Sequence, residues 1–409
     1  MLSVNHLNEL QLMNAKKILV SGGSIAGLTL AYWLIRHGFE VTVMERSPEL
    51  RLGGQNIDVK GPAWEIIKKM GLAEKIRAAN TTEVGIRFVD TKDNILAAFP
   101  KDNAISMTQE IEILRGDMVN ILYEEVKDRA TFIFGEQIKS IVEQKDGVEV
   151  KFNSGADEKY ALVIIAEGIG SGTRHLVFGN EIKYHYLGLY SAYLTMEKSH
   201  TDSRWARWCN APGAIVFLLR PDNHGTTRTC IFFRSPERGY EKLPLAEQKA
   251  LLLEKIKHVG WEAPRIAAAI QQTDDLYFER VSQIKAPHWH KGRVAMIGDA
   301  AYCATPIAGK GTDLAVTGAY ILAGELARNK AYKDAFNAYE RLMRPYATRV
   351  QKLPPGVPRL AYPDSKLGLN ILNLFFSLAG SKFARSVVKL FSSGKKQPKE
   401  EIQLPDYKF

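Results

Sequence analysis

Lys16-Lys17-Ile18-Leu19-Val20-Ser21-Gly22-Gly23-Ser24-Ile25-Ala26-Gly27-Leu28 decides the fold. An apolar strand runs into a glycine-rich turn, and the turn opens a helix predicted over 25–37. A second strand, predicted over 40–44, ends at Glu45-Arg46. Strand, turn, helix and acid-ended strand together read as a βαβ dinucleotide-binding unit. The turn lets a pyrophosphate approach the backbone, and the positive end of the helix dipole favours an anion there. The usual pattern is Gly-x-Gly-x-x-Gly; here Gly22 and Gly27 hold the outer positions and Ser24 the middle one. Serine still offers its N–H, but its Cβ limits how closely the backbone can approach a ligand.

At 409 residues the chain is too long for one simple core, and two or more domains are expected. Its 45% hydrophobic and 24% charged residues fit an ordinary globular protein. The cysteines Cys209, Cys230 and Cys303 form no close pair, so neither a disulfide framework nor a metal knuckle is indicated. A reducing, cytoplasmic setting is the expectation. The first fifteen residues lack the basic start and apolar run of a signal peptide, and no uncharged apolar stretch reaches the length of a membrane span. The net charge is +10, of which residues 382–409, with seven Lys/Arg and three acids, carry +4. The remaining charges are mixed, without a basic-aromatic cluster, so neither nucleic acid nor stable membrane insertion is expected.

Further along, residues 51–57 (Arg-Leu-Gly-Gly-Gln-Asn-Ile) form a glycine-hinged loop. Helices are predicted over 63–70 and from 115 to about 126, a hairpin over 84–99, and strands over 131–134, 138–144 and 148–153. The continuous apolar run 160–166 suits a buried parallel strand and ends in Glu167-Gly168. From about 183 to 278 the texture becomes aromatic, with antiparallel strands over 186–196, 213–219 and 227–233, then two helices. A strand over 293–297 then leads into Gly298-Asp299-Ala300-Ala301-Tyr302. Long helices are predicted over 312–328, 332–351 and 366–393.

Three motifs now stand in register: the glycine turn with Glu45-Arg46, then Glu167-Gly168, then Gly298–Tyr302 followed by Pro306 and Gly309-Lys310-Gly311-Thr312. Together they resemble the single-component FAD-dependent aromatic hydroxylases of the para-hydroxybenzoate hydroxylase type. Residues 51–58, the helical C-terminal addition and the closing Leu404-Pro405-Asp406-Tyr407 look most like the tetracycline destructases within that family. The resemblance implies an α/β fold: a Rossmann-like FAD-binding domain (15–180 and 280–350), an interleaved antiparallel-sheet substrate domain (181–279), and a C-terminal bridging or lid helix with its tail (351–409). The hairpin 84–107 is a candidate to join the substrate domain. In the last helix Leu367, Ile371, Leu374, Phe375, Leu378, Phe383 and Val387 fall at helical spacing on one face, which reads as a packing or lid face; the rival reading is a membrane-surface helix, because Lys382, Arg385, Lys389, Lys395 and Lys396 follow.

The resemblance also implies roles. Gly22, Ser24, Ile25, Ala26 and Gly27 would hold the pyrophosphate, Glu45 the adenosine ribose, and Arg46 the adenine end. Gly54 and Arg115 would border the cofactor, Asp299 would face the ribityl chain, and Pro306, Gly309, Gly311 and Thr312 would pass beside the flavin ring. Glycines let backbone approach a flat ring, and a helix starting there can stabilise negative charge on it. Gln55, Phe217, Arg204 and Arg220 are substrate candidates, with Phe232 and Arg228 beside them; strand alternation puts Phe217 and Arg220 on opposite faces. Two departures stand out: the family's Asp-Gly is Glu167-Gly168, and Tyr302-Cys303 replaces a His and a nearby Pro. Cys303 reads as core filler.

The implied activity uses tightly, non-covalently bound FAD, NADPH or NADH as transient reductant, and O2, to hydroxylate a phenol- or enol-bearing ring system, with tetracyclines as the expected substrate. The chemistry is the cofactor's, so no side chain is assigned as catalytic and no metal is needed. A monomer is expected. The alternatives are hydroxylation of another phenolic metabolite and a non-catalytic protein that sequesters flavin and ligand.

Overall fold

The computed structural model describes residues 16–101, 111–354, 356–379 and 402–408. The leader reading for 1–15, the end of the expected hairpin at 102–107, and the 380–393 portion of the last expected helix lie outside those residues.

Two sheets organise the chain. The first has six strands in the order His290–Lys291, Val294–Met296, Leu162–Ile165, Lys17–Ser21, Glu40–Glu45, Thr131–Phe134. All its pairings are parallel except that of His290–Lys291. The strand Lys17–Ser21 is central, and the chain winds outward from it in both directions. The switch point therefore lies between Lys17–Ser21 and Leu162–Ile165, where α/β sheets bind ligands beyond the carboxyl ends of their strands. The helix Ile25–Arg36 packs on this sheet and is covered in turn by Gly311–Arg328, with Trp33 and Tyr320 in edge contact at a centroid distance of 5.1 Å. Burial of nearly every residue from Ile25 to Leu34 follows from this double covering.

The second sheet has seven strands in the order Tyr277–Lys285, Lys183–Glu197, Thr226–Arg234, Ile215–Pro221, Trp205–Ala211, Gly85–Val89, Ile95–Pro100. The hairpin Gly85–Val89/Ile95–Pro100 thus joins this sheet through a parallel pairing with Trp205–Ala211. One face packs on the helices Leu245–Ile256 and Ala263–Gln272, around Tyr190, Phe217, Phe233, Leu252 and Ile266. The opposite face presents Tyr193, Val216, Cys230 and Phe232 to Tyr362 and Ile307.

Several expectations change in detail. The run 160–166 is not one strand: Asp157–Tyr160 belongs to a three-stranded antiparallel sheet, and Leu162–Ile165 to the parallel one. Trp205–Ala211 and Tyr277–Lys285 are strands the sequence reading did not assign. The first lacks clean alternation, and the second is a sheet-edge strand crowded with charge, extending past the expected boundary at 279/280.

The described part of the last helix, Lys366–Ala379, reverses its expected facing. The stripe Leu367, Ile371, Leu374, Phe375 and Leu378 points to solvent. Leu369 is buried instead, and Phe376 stacks on Phe88 of the sheet at 4.0 Å. The C-terminal Leu404–Tyr407 returns to the helix Gly311–Arg328. Tyr407 lies against Gly324, where a Cβ would come within 2.2 Å of its ring, and donates to the buried Glu325 at 2.8 Å.

Candidate functional site

The site begins at the switch point. Gly22 ends the first strand with φ +118°, and a Cβ there would sit 2.4 Å from the Ala166 carbonyl oxygen of the neighbouring strand. Gly27 brings the helix against the turn; its Cβ would overlap the Gly22 oxygen at 1.9 Å. Only glycine fits either place. Glu45 accepts from the Gly23 N–H at 2.9 Å and the Ser47 N–H at 3.0 Å, so one carboxylate fixes the turn from the end of the second strand. Arg46 beside it is exposed.

Arg115 starts its helix and reaches across the turn. Its guanidinium donates to Ser24 Oγ at 2.9 Å and to the Arg51 carbonyl at 2.8 Å, and it lies over Gly54, whose Cβ would meet Arg115 Nε at 2.7 Å. Burial and the neighbouring Arg51 lower its pKa without threatening its charge. The Ser24 hydroxyl is thereby turned to Arg115 and makes no cap bond to the helix, and the first turn of Ile25–Arg36 holds no acid. The helix N-terminus, Ile25 and Ala26 included, is left free of internal anions, which fits a pyrophosphate.

Opposite the turn, Gly298 (φ +61°) places Asp299 at the head of the short helix Asp299–Tyr302. Burial raises the Asp299 carboxyl, against the opposing pull of Cys303 and Arg174. Thr305 (φ +81°), the tight turn Pro306–Ala308 and Gly309 (φ +58°) then lead into Gly311–Arg328. A Cβ at Gly309 or at Gly311 would meet nothing within 4 Å. The one acid in that helix's first turn, Asp313, faces away: it accepts from the Ala63 N–H at 3.0 Å, Lys310 Nζ at 2.8 Å and Tyr346 Oη at 2.8 Å. An open glycine floor and a helix N-terminus with its acid withdrawn suit a flat, electron-rich ring. Thr312 is buried behind that floor.

The open face of the seven-stranded sheet bounds the space beyond. Gln55 leans over it, accepting from the Cys230 thiol at 3.0 Å while its own carbonyl accepts from the Arg115 N–H at 2.8 Å. Arg228 is held by Asp222 at 2.9 Å and Thr195 at 2.7 Å. Phe232 packs on Tyr362 and Trp208.

The other substrate candidates fall elsewhere. Phe217 is fully buried on the helix-covered face against Trp261. Arg220 is on the open side, but Glu83 and Glu112 hold it, the former at 2.9 and 3.1 Å. Arg204 is on the surface, tied to the Thr82 carbonyl at 2.9 Å.

Other side chains at the site were not found from sequence. Arg51 lies over Tyr277, which donates to Glu279 at 2.9 Å; Ser191 also donates to Glu279, at 3.3 Å. Burial pushes the Glu279 carboxyl up to about 7, and the nearby Asp299 adds to the rise. The alternation of Tyr277, Glu279 and Val281 would have revealed this edge strand, had its charges not read as loop. The departures resolve structurally. Glu167 gathers Ser21, Ser171 and Thr173, locking the first strand to the loop that follows the parallel strand Leu162–Ile165. Tyr302 bonds Tyr339 at 3.1 Å in the core, and burial raises the Cys303 thiol, which keeps it unreactive.

Comparison with known proteins agrees with this geometry. The FAD binding domain family matches residues 15–353. The chain is 31% identical to "FAD-dependent monooxygenase asL4" of Sarocladium schorii over 427 residues, covering 96% of this chain and 98% of the relative. It is 37% identical to a flavin-dependent monooxygenase of Legionella longbeachae over 343 residues, covering 82% and 87%. Among solved structures, tetracycline destructase Tet(51) superposes with a TM-score of 0.79 at 33% identity, covering 96% of this chain and 99% of that one. With the FAD family spanning its switch-point turn, its Gly298-Asp299 strand end and its open glycine floor alike, the chain belongs to the FAD-dependent monooxygenases.

Proposed function

We propose that this protein hydroxylates a phenol- or enol-bearing polycyclic compound of the tetracycline type, using FAD, NAD(P)H and O2. The observation that carries the reading is the open floor at Gly309 and Gly311 facing an aromatic sheet wall, in a chain similar to a tetracycline destructase over nearly its whole length. When bound, FAD supplies the electron and oxygen transfer. The chain's residues position and enclose. The Gly22–Gly27 turn and Arg115 hold the diphosphate, Glu45 and Arg46 serve the adenosine end, and Asp299 takes the ribityl hydroxyls. The N-terminus of Gly311–Arg328 stabilises negative charge on the ring. Gln55, Arg228, Phe232 and Tyr362 line the substrate side, Gln55 offering its amide N–H to a substrate oxygen while its Oε1 stays with Cys230. The helix Lys366–Ala379 closes the far end through Phe376. With one nucleotide-binding unit, the nicotinamide visits transiently. The test follows NADPH oxidation by the purified yellow protein with and without a tetracycline, with product mass read in parallel. Stimulated oxidation with gain of one oxygen atom supports the proposal. Stimulation only by another phenol keeps the monooxygenase and refutes the tetracycline assignment.

A further inference from the structure

The helix Lys366–Ala379 is apolar on both sides, yet among the described residues only one side is packed. Its inward residues Leu369 and Phe376 pack on the protein. Its outward residues Leu367, Ile371, Leu374, Phe375 and Leu378, with Leu360 from the turn before, are each 60–72% exposed. Their spacing of four, three, one and three makes them one continuous stripe along the helix. Isolated exposed apolar side chains need no explanation, but a contiguous stripe of Leu, Ile and Phe marks a contact surface.

Charge narrows what the contact is. From Lys352 to Ala379 the exposed cations Lys352, Arg359 and Lys366 accompany a single acid, Asp364, which Arg234 engages. A second copy of the chain seated on the stripe would bring two such cationic stretches together. An anionic lipid surface neutralises them and takes up the apolar side chains at the same time. One side of the described helix packs on the sheet edge and the other carries the stripe along its length, so the contact lies in the plane of the surface.

We propose that the outward stripe of Lys366–Ala379 docks this protein reversibly on anionic lipid bilayers. The opposite side of the same helix bears on Phe88 at the edge of the seven-stranded sheet, so docking would bring that sheet edge within about one helix diameter, ~10 Å, of the lipid.

The test is co-sedimentation of the full-length holoprotein with phosphatidylcholine vesicles, with and without about one-third phosphatidylserine. Binding to the anionic vesicles is expected, weakening as salt rises. The substitution pair Ile371→Glu and Phe375→Glu should lower the partition coefficient at least about tenfold. Flavin content and thermal midpoint should stay at parent values, because both side chains are exposed and Phe375 meets the anchoring Phe376 ring only from its outer side. Ile371→Gln provides a milder second variant. Parent protein that stays in the supernatant overturns the proposal, as does undiminished binding by the folded variants. A concentration-dependent dimer abolished by the same substitutions also overturns it and assigns the stripe to a second copy. Protection of Leu374→Cys from thiol labelling in the lipid-free monomer overturns it by showing the stripe already covered from within. None of these readouts depends on turnover, so a failed tetracycline assay leaves the result interpretable.

Discussion

Replacing Gly311 by alanine separates the flavin site from the stability of the fold. Gly311 is the first residue of its helix, its φ is not positive, and a Cβ there meets no atom within 4 Å. In the apoprotein the substitution is therefore neutral to favourable. Alanine restricts the unfolded chain and suits a helix better than glycine, together worth up to about 1 kcal/mol. With FAD in place the same methyl group points into the space assigned to the ring. Overpacking a fitted surface costs about 1–3 kcal/mol, which converts to about a 5- to 150-fold weaker Kd. The assay pairs two measurements on deflavinated protein: the melting midpoint by circular dichroism, and FAD titration by flavin fluorescence. The expected outcome is an apo midpoint at or above the parent's with clearly weakened FAD binding. Parent-level affinity would refute the placement of the ring over this floor. A destabilised apoprotein would refute the openness of the space itself. Gly27→Ala is the control for ordinary steric damage, since its Cβ would overlap the Gly22 oxygen and must disrupt the turn whether or not FAD is present.

Three further outcomes follow from the geometry. Glu279 is pushed up to about 7 from the ordinary 4.5, so the folded protein holds a proton that the unfolded chain releases between those values; its stabilising effect is present below that window and is lost as pH rises through it. Glu279→Gln should flatten the apoprotein's midpoint-versus-pH curve between about 4.5 and 7, and an unchanged slope would remove Glu279 from the account. Arg220→Ala should act on folding and not on substrate affinity: it takes the guanidinium's charge from the buried Glu83 and Glu112, a loss of about 3–5 kcal/mol read by chemical denaturation, and a stable variant with a raised KM would restore Arg220 to the substrate site. Tyr407→Phe removes one donor to the buried Glu325 while keeping the ring packed on Gly324, and should cost about 1–3 kcal/mol in denaturation; no loss would mean that this hydrogen bond contributes nothing net to holding the C-terminal return.

What could be read in advance was local. Gly22, Gly27 and Glu45 announce themselves because a tight turn, a close helix–strand contact and an acid at a strand end each need a particular residue type within about twenty-five positions. Tyr277 and Glu279 stayed hidden because their environment is assembled from distant chain: Arg51, Ser191 and Asp299 meet them only after both sheets have formed. The parallel pairing of Trp205–Ala211 with Gly85–Val89 joins segments more than a hundred residues apart, and neither strand's alternation encodes the other's register. Arg220 shows the complementary difficulty. Its strand position correctly put it opposite Phe217, yet whether an arginine on the open face meets ligand or protein depends on Glu83 and Glu112, which lie on other segments. The helix Lys366–Ala379 is the sharpest case. Periodicity finds two apolar stripes on it, 367/371/374/375/378 and 369/372/376, and has no means of ranking them. A stripe of five large side chains invites the inference that it packs, whereas the fold buries the narrower stripe through Leu369 and Phe376 and leaves the wider one outside. Hydrophobic pattern reports that a face needs a partner, and the partner need not belong to the same chain. For this helix an external partner is the physically simpler resolution, because a face this apolar beside so many cations is poorly matched to water and well matched to an anionic bilayer.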